Sequence, residues 1–424
     1  MHRIKDYLKK LGESKTLLHG VLFSGFSFVN RGFIFLLLLI LANFISPAEY
    51  GYLSLFSTVI MILGFFICLS SEGYMSVSYF QEGGDSLKYT YSTILWTGVV
   101  MTAFFLSVLF VGGETLSEML DLPRHILYIA VFVSLLTVLS NVNLDYFRLK
   151  ERVAIYGIFS CGNALLNFIA SILLVKTFRL GWEGRVYAQV GCTALFGLFS
   201  IVFFARKKCL TLHIKDRIKP TFAWSFPLIP MHATNFLRQG VDRYIINYFH
   251  SIADVGLFSF ALNISNVITM VGFGFNQSIS VDMYKILGDE ELTPQQKQEK
   301  IRRMISKLLI LFLLVALVLS LICYLLVPIL LPQYAQSMNY FLVLSVYAFF
   351  VCHYLVFTNI LFFYKKTQTI MYMSMSISIL HLLLSFWFTQ YSLYLTCIVY
   401  CITQGVFALG VQYYSYKELK KQLA

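Results

Sequence analysis

Six ionisable side chains lie inside or at the edge of long apolar runs and could carry chemistry: Arg31, Glu72, Asp145, Arg238, Asp242 and Arg243. A charge at membrane depth costs at least ~2.5 kcal/mol on insertion scales, so it normally faces a cavity or a partner. Arg31 interrupts its run about halfway, between Phe28 and a stretch of Leu and Ile. Arg238 and Asp242 are four residues apart, which on one helix predicts a shared face and an ion pair. Arg243 then points away from Asp242, leaving arginine charge beyond what that acid neutralises. A guanidinium keeps its proton and presents a fork of donors that matches phosphate oxygens. The pattern therefore points to anion binding, with Arg31, Arg238 and Arg243 as ligands. Asp242, Glu72 and Asp145 are candidates for ion or proton coupling, or for charge pairing. Asp145 precedes Arg148 by three residues, and Glu72 sits in Leu-Ser-Ser-Glu-Gly-Tyr, a polar break in an apolar helix.

Nothing in the chain suggests covalent chemistry. It has no GxxxxGK[ST] loop, no HExxH, no GxSxG and no CxxC, so no enzyme, cofactor or metal site is expected. The eight histidines are scattered and read as structural. The eight cysteines fall mostly inside apolar runs and read as small buried hydrophobes.

The elements that must position these charges are membrane helices. Of the 424 residues, 58% are hydrophobic and 13% charged, against about 25% charged in soluble domains. Runs of roughly 20 apolar residues, enough to cross a hydrocarbon core about 30 Å thick, recur along the chain. Twelve spans are predicted, at 17–43, 51–79, 90–112, 126–147, 154–175, 186–204, 222–248, 255–280, 305–328, 339–363, 368–388 and 391–414. The longest polar connector is 281–303, and the longest loop on the other side is 112–125. Pro227 and Pro230 predict a bent start to the seventh span. Aromatics around it, including Tyr244, Tyr248, Phe249, Phe258, Phe273 and Phe275, read mostly as interfacial or lipid-facing. Met1–Lys15, with five basic residues, reads as a retained signal anchor.

The net charge of +12 does not mark a nucleic-acid protein, because of where the charge lies. Of the 33 Lys and Arg, 26 fall in alternate loops on the side of both termini and four (Arg124, Lys176, Arg179, Arg185) on the other. That bias predicts cytoplasmic N- and C-termini in a bacterial inner membrane, with membrane lipids as the surroundings.

A repeat links the two halves. Phe44, Ser46, Ala48, Glu49, Gly51 and Ser54 recur as Phe249, Ser251, Ala253, Asp254, Gly256 and Ser259, all at an offset of 205. Each serine is placed to cap the next helix, with the acid in its first turn. The offset covers six spans, so two six-helix lobes, 1–210 and 211–424, are expected about an axis along the membrane normal. Shifting Arg238 by the offset lands beside Arg31, which predicts a central cationic cavity.

On these residues the chain resembles Wzx-type polysaccharide flippases of the multidrug/oligosaccharidyl-lipid/polysaccharide exporter superfamily. The resemblance rests on Arg31 through Ile45-Ser-Pro-Ala-Glu-Tyr-Gly51, on Phe226-Pro-Leu-Ile-Pro230, and on Gln239-Gly-Val-Asp-Arg-Tyr-Ile-Ile246. Val255-Gly-Leu-Phe-Ser-Phe-Ala261 and the basic stretch Tyr146-Phe-Arg-Leu-Lys-Glu-Arg152 add to it. It implies an all-α fold of two lobes working by alternating access. The implied substrate is an undecaprenyl-pyrophosphate-linked oligosaccharide carried to the periplasmic leaflet, and a polysaccharide polymerase is a candidate partner. Two rival readings are a multidrug cation exporter of the same superfamily, which calls for an acidic cavity, and a membrane-embedded polymerase or ligase, which calls for a large outer loop.

Overall fold

The structure, a computed structural model, describes residues 15–423. Met1–Lys15, expected as an anchor, lies outside the described residues except for Lys15. In chain order the helices are α1 (Lys15–Leu41), α2 (Pro47–Ile67), α3 (Tyr74–Glu82), α4 (Ser86–Leu120) and α5 (Arg124–Leu149). Next come α6 (Val153–Ile172), α7 (Gly181–Arg206), α8 (Lys215–Ser225), α9 (Leu228–Gln239) and α10 (Val241–Phe249). The last five are α11 (Ile252–Gly288), α12 (Pro294–Leu330), α13 (Ser337–Phe363), α14 (Thr367–Thr389) and α15 (Leu393–Leu423). No strand occurs among the described residues.

Ten helices are long and apolar enough to cross a membrane, so the chain is a multi-pass membrane protein. The other two predicted spans are the first, whose apolar stretch is Phe28–Leu41 within α1, and the seventh. The seventh span is not one helix: Pro227 and Gly240 divide it into α8, α9 and α10. The second span is also broken, after Ile67, where Leu69 and Ser70 take positive φ (49° and 56°) ahead of Glu72.

Two expected loops are mostly helix. The connector 281–303 shrinks to a few residues because α11 runs to Gly288 and α12 starts at Pro294. Thr293 and Gln296 form a reciprocal cap there, with Pro294 in the first turn. The loop 112–125 shrinks likewise, since α4 continues to Leu120 through a kink at Gly112 (φ −116°, ψ 18°). Polarity marks where a helix leaves lipid, not where it stops.

The described chain forms two compact units. The first holds residues up to Ile45 with Leu55–His232, and the second holds Ser46–Ser54 with the residues from Ala233 onward. This division falls later than residue 210 because the segment after α7 is fastened to the first unit. Thr211 N–H donates to Ser92 Oγ (2.9 Å), Arg217 pairs with Glu82, and His232 stacks on Phe65 with ring centroids 5.1 Å apart. In the first unit α1 packs on α6, and α5 on α7, around a core that includes Tyr91 stacked on Phe204 at 3.8 Å. In the second, α13 packs between α11 and α15. Its core includes Tyr50, Phe260 and Tyr334, and Phe258, which was expected at lipid, is fully buried against Tyr400.

From Ser46 to Ser54 the first copy of the repeat lies in the second unit, where it meets the second copy. Ser46 and Glu49 form a reciprocal cap (Ser46 N–H to Glu49 Oε2, 2.8 Å; Glu49 N–H to Ser46 Oγ, 3.3 Å). Ser251 and Asp254 repeat it, with both bonds at 3.2 Å. The glycines explain the spacing. Gly51 lies against the carbonyl of Ile252, and Gly256 lies against the carbonyl of Pro47. These contacts interchange under the 205-residue offset, and each leaves no room for a Cβ.

Candidate functional site

The site is organised by the break at Gly240. A side chain at 240 would run into the ring of Phe236, so glycine lets the chain turn there. The break interrupts the helical ladder: Arg243 N–H bonds to the Gly240 carbonyl (3.3 Å) and not to Gln239. The Arg243 guanidinium takes over, donating Nη1 to the Gln239 carbonyl and Nε to Ser259 Oγ (3.3 Å). A cation at the carbonyl end of α9 also complements its dipole.

Because α9 and α10 are separate helices, the expected Arg238–Asp242 pair does not form. The i,i+4 rule holds only on a continuous helix. Arg238 instead donates to Asn235 Oδ1 (3.3 Å), and its guanidinium lies 5.1 Å from the centre of the Phe407 ring. Its Nε is buried with no hydrogen-bond partner among the described residues. Arg238 lines a cavity of about 320 Å³ in the second unit, with amides from Asn235, Gln239, Asn266 and Gln404 and phenols from Tyr347 and Tyr354. Among the described residues no carboxylate lines it. The chemistry offered is a partly unspent donor fork among neutral hydrogen-bonding groups.

Asp242 is buried (1% exposed) behind this cavity and pairs with His381, which lines it. Asp242 Oδ2 lies 2.8 Å from His381 Nε2, and Oδ1 accepts from Ser385. His381 and Ser385 are one turn apart on α14, so both reach the acid from one face. On its other side His381 Nδ1 lies 2.9 Å from Thr403 Oγ1, whose hydroxyl donates to the Val399 carbonyl at 2.7 Å. Thr403 thus links the imidazole to the α15 backbone. Tyr400 closes the site with its ring edge-on to the imidazole, centroids 4.8 Å apart.

Arg31 stands exposed on α1 in the first unit. Asp145 pairs with Arg148 as the spacing predicted. Glu72 sits in the break after α2 with a buried Oε2 that has no hydrogen-bond partner among the described residues. The structure thus brings together Arg238 and the Asp242–His381 pair, and turns Arg243 away to support the break. His381, Ser385 and Thr403 were not singled out from sequence. Their signal was faint: a lone His and Ser one turn apart in an apolar helix. The eight cysteines are free thiols, and no His/Cys/Asp/Glu group suited to a metal occurs among the described residues.

The fold has close parallels among solved structures. An inward-facing multidrug resistance MATE family transporter of the MOP superfamily superposes with a TM-score of 0.74 at 12% identity, over 94% of this chain and 96% of that one. The lipid II flippase MurJ, in an inward closed conformation, gives 0.74 at 13% identity, over 95% and 90%. Two all-helical units with this fold are the architecture of the exporter superfamily that the sequence resembles. Residues 40–339 match the family described as polysaccharide biosynthesis protein, and the chain belongs to that family. Among its relatives, Lsg locus putative protein 1 of Haemophilus influenzae is 23% identical over 341 residues, 79% of this chain and 82% of that one. The succinoglycan biosynthesis transport protein ExoT of Rhizobium meliloti is 22% identical over 236 residues, 54% of this chain and 45% of that one.

Proposed function

We propose that the protein is a flippase of the bacterial inner membrane. It carries an undecaprenyl-pyrophosphate-linked oligosaccharide from the cytoplasmic to the periplasmic leaflet, for O-antigen or a related surface polysaccharide. Both termini are cytoplasmic, and a polymerase consumes the delivered repeat units. The observation that carries this reading is the acid-free cavity around Arg238, whose fork of donors suits a pyrophosphate. Arg31, exposed on α1 of the first unit, is a further candidate for anion binding, and Arg243 supports the Arg238 site through the end of α9. Names among the relatives and structural neighbours, a transport protein of succinoglycan biosynthesis and a lipid II flippase, support transport over catalysis. A multidrug exporter has the same fold, but a cavity whose described lining carries Arg238 and no carboxylate repels an organic cation.

Deleting the gene in its native host tests the reading. Surface polysaccharide should disappear while lipid-linked repeat units accumulate on the cytoplasmic side, and the intact gene should restore export. Unchanged polysaccharide together with raised sensitivity to cationic drugs would replace this reading with the multidrug one.

Asp242 and His381 are the coupling element in this proposal, because the buried pair stands directly behind the cavity that Arg238 lines. Asp242→Asn keeps the shape but removes the carboxylate. Flipping in proteoliposomes should fall at least about tenfold and lose its response to a pH gradient, with the protein still folded. An unaltered pH response would make the pair purely structural.

A further inference from the structure

The first unit has a cavity of its own, about 260 Å³, that the flippase reading does not use. Asn30 of α1, Asn141 of α5, Asn163 and Asn167 of α6, and Arg185 and Gln189 of α7 line it. Asn163 and Asn167 are one turn apart, as are Arg185 and Gln189, so each helix turns a polar stripe inward. Amides at membrane depth are costly unless they meet a partner, and five around one space are more than helix packing requires. Arg185, which the span pattern places in an outer loop, stands one turn inside α7.

The geometry is that of a prepared site. Arg185 Nη1 donates to Asn167 Oδ1 at 2.8 Å, which fixes the guanidinium on the wall, and Ser171 donates to the Asn167 carbonyl at 2.6 Å. Asn30 Nδ2 is held by Ser160 Oγ at 3.0 Å. Asn163 Oδ1 is buried with no hydrogen-bond partner among the described residues. No carboxylate lines the cavity, and Arg185 makes no ion pair among the described residues. One cation with most of its donors unspent is thus surrounded by neutral amides. Phe33 supplies an apolar patch on the wall.

Each amide offers a donor and an acceptor side by side, the pattern that adjacent sugar hydroxyls require. The lone guanidinium adds a fork for a carboxylate. The volume lies just below the range of about 300–1,000 Å³ common for ligand pockets, which suits one ring and not a chain. We propose that the first unit binds a single acidic sugar, a hexuronate-type pyranose, with Arg185 on its carboxylate and the amides on its hydroxyls. That this sugar belongs to the transported oligosaccharide rests on the flippase reading; the binding itself does not.

The test uses the purified full-length protein in nanodiscs, with free glucuronate, glucose and inorganic phosphate as probes in saturation-transfer NMR. Glucuronate should bind at least about tenfold more tightly than glucose, since a hydrogen-bonded carboxylate adds roughly that much. Arg185→Gln should reduce glucuronate to the level of glucose, and Arg185→Lys should recover part of the difference. Asn163→Leu keeps the charge and should weaken both sugars together, which separates recognition from misfolding if Arg185→Gln elutes as aggregate. The proposal fails if the protein binds no sugar, if glucuronate binding survives Arg185→Gln in folded protein, or if phosphate displaces glucuronate while glucose never binds. Failure of the flippase reading would appear in surface polysaccharide after gene deletion, which this assay does not measure.

Discussion

Arg238→Ala should abolish export: complementing a deletion strain with it, at matched membrane levels, is expected to restore no surface polysaccharide. Among the described residues the guanidinium is the one Lys or Arg group on the cavity wall of the second unit, and its buried Nε has no hydrogen-bond partner there. Hydrogen bonds to a charged group contribute about 1.5–3 kcal/mol each. Losing even one at the point where substrate is gripped lowers affinity about ten- to a hundredfold. Arg238→Lys should fall between, because a lysine keeps the charge and loses the fork. Lipid-linked repeat units should accumulate in proportion. Full export by Arg238→Ala would remove the cavity from the mechanism while leaving the fold intact.

The second large effect is structural. Gly256→Ala places a methyl group where the Pro47 carbonyl already sits, and a backbone carbonyl cannot swing aside as a long side chain can. Overpacking in cores costs about 1–3 kcal/mol where side chains can yield, so a clash with backbone should cost at least the upper figure. The expected result is a collapse in monodisperse protein on size-exclusion chromatography. Gly274→Ala, on the same helix α11, is the control, because a Cβ there meets nothing within 4 Å. It should leave the protein folded or stabilise it by about 0.5–1 kcal/mol. Equal behaviour of the two variants would mean that the repeat glycines do not hold the helices together.

Local signals in the sequence carried far. Apolar runs located the membrane helices because lipid imposes the same length and polarity on each. The caps at Ser46 and Ser251 were legible because both partners lie within four residues. The Asp145–Arg148 pair was legible for the same reason. What stayed hidden depends on contacts between distant segments. Asp242 finds His381 across 139 residues, and no local pattern announces that. The false pairing with Arg238 came from treating 222–248 as one helix, when the tight fit of Gly240 on Phe236 breaks it between the two charges. Arg185 was hidden by depth: near the end of a predicted span, a loop arginine and a cavity arginine look alike in sequence.

Helix α12 has one more consequence. Its 37 residues, at about 1.5 Å each, extend to roughly 55 Å, against about 30 Å of hydrocarbon. The surplus carries Lys297, Lys300, Arg302, Arg303 and Lys307 at the end that leaves the lipid, with Glu299 bound to Arg303 at 2.9 Å. Each basic residue near anionic headgroups contributes about 1 kcal/mol of attraction. Together they favour one depth for this end of α12 in a bilayer with anionic headgroups, as a keel sets how deep a hull rides.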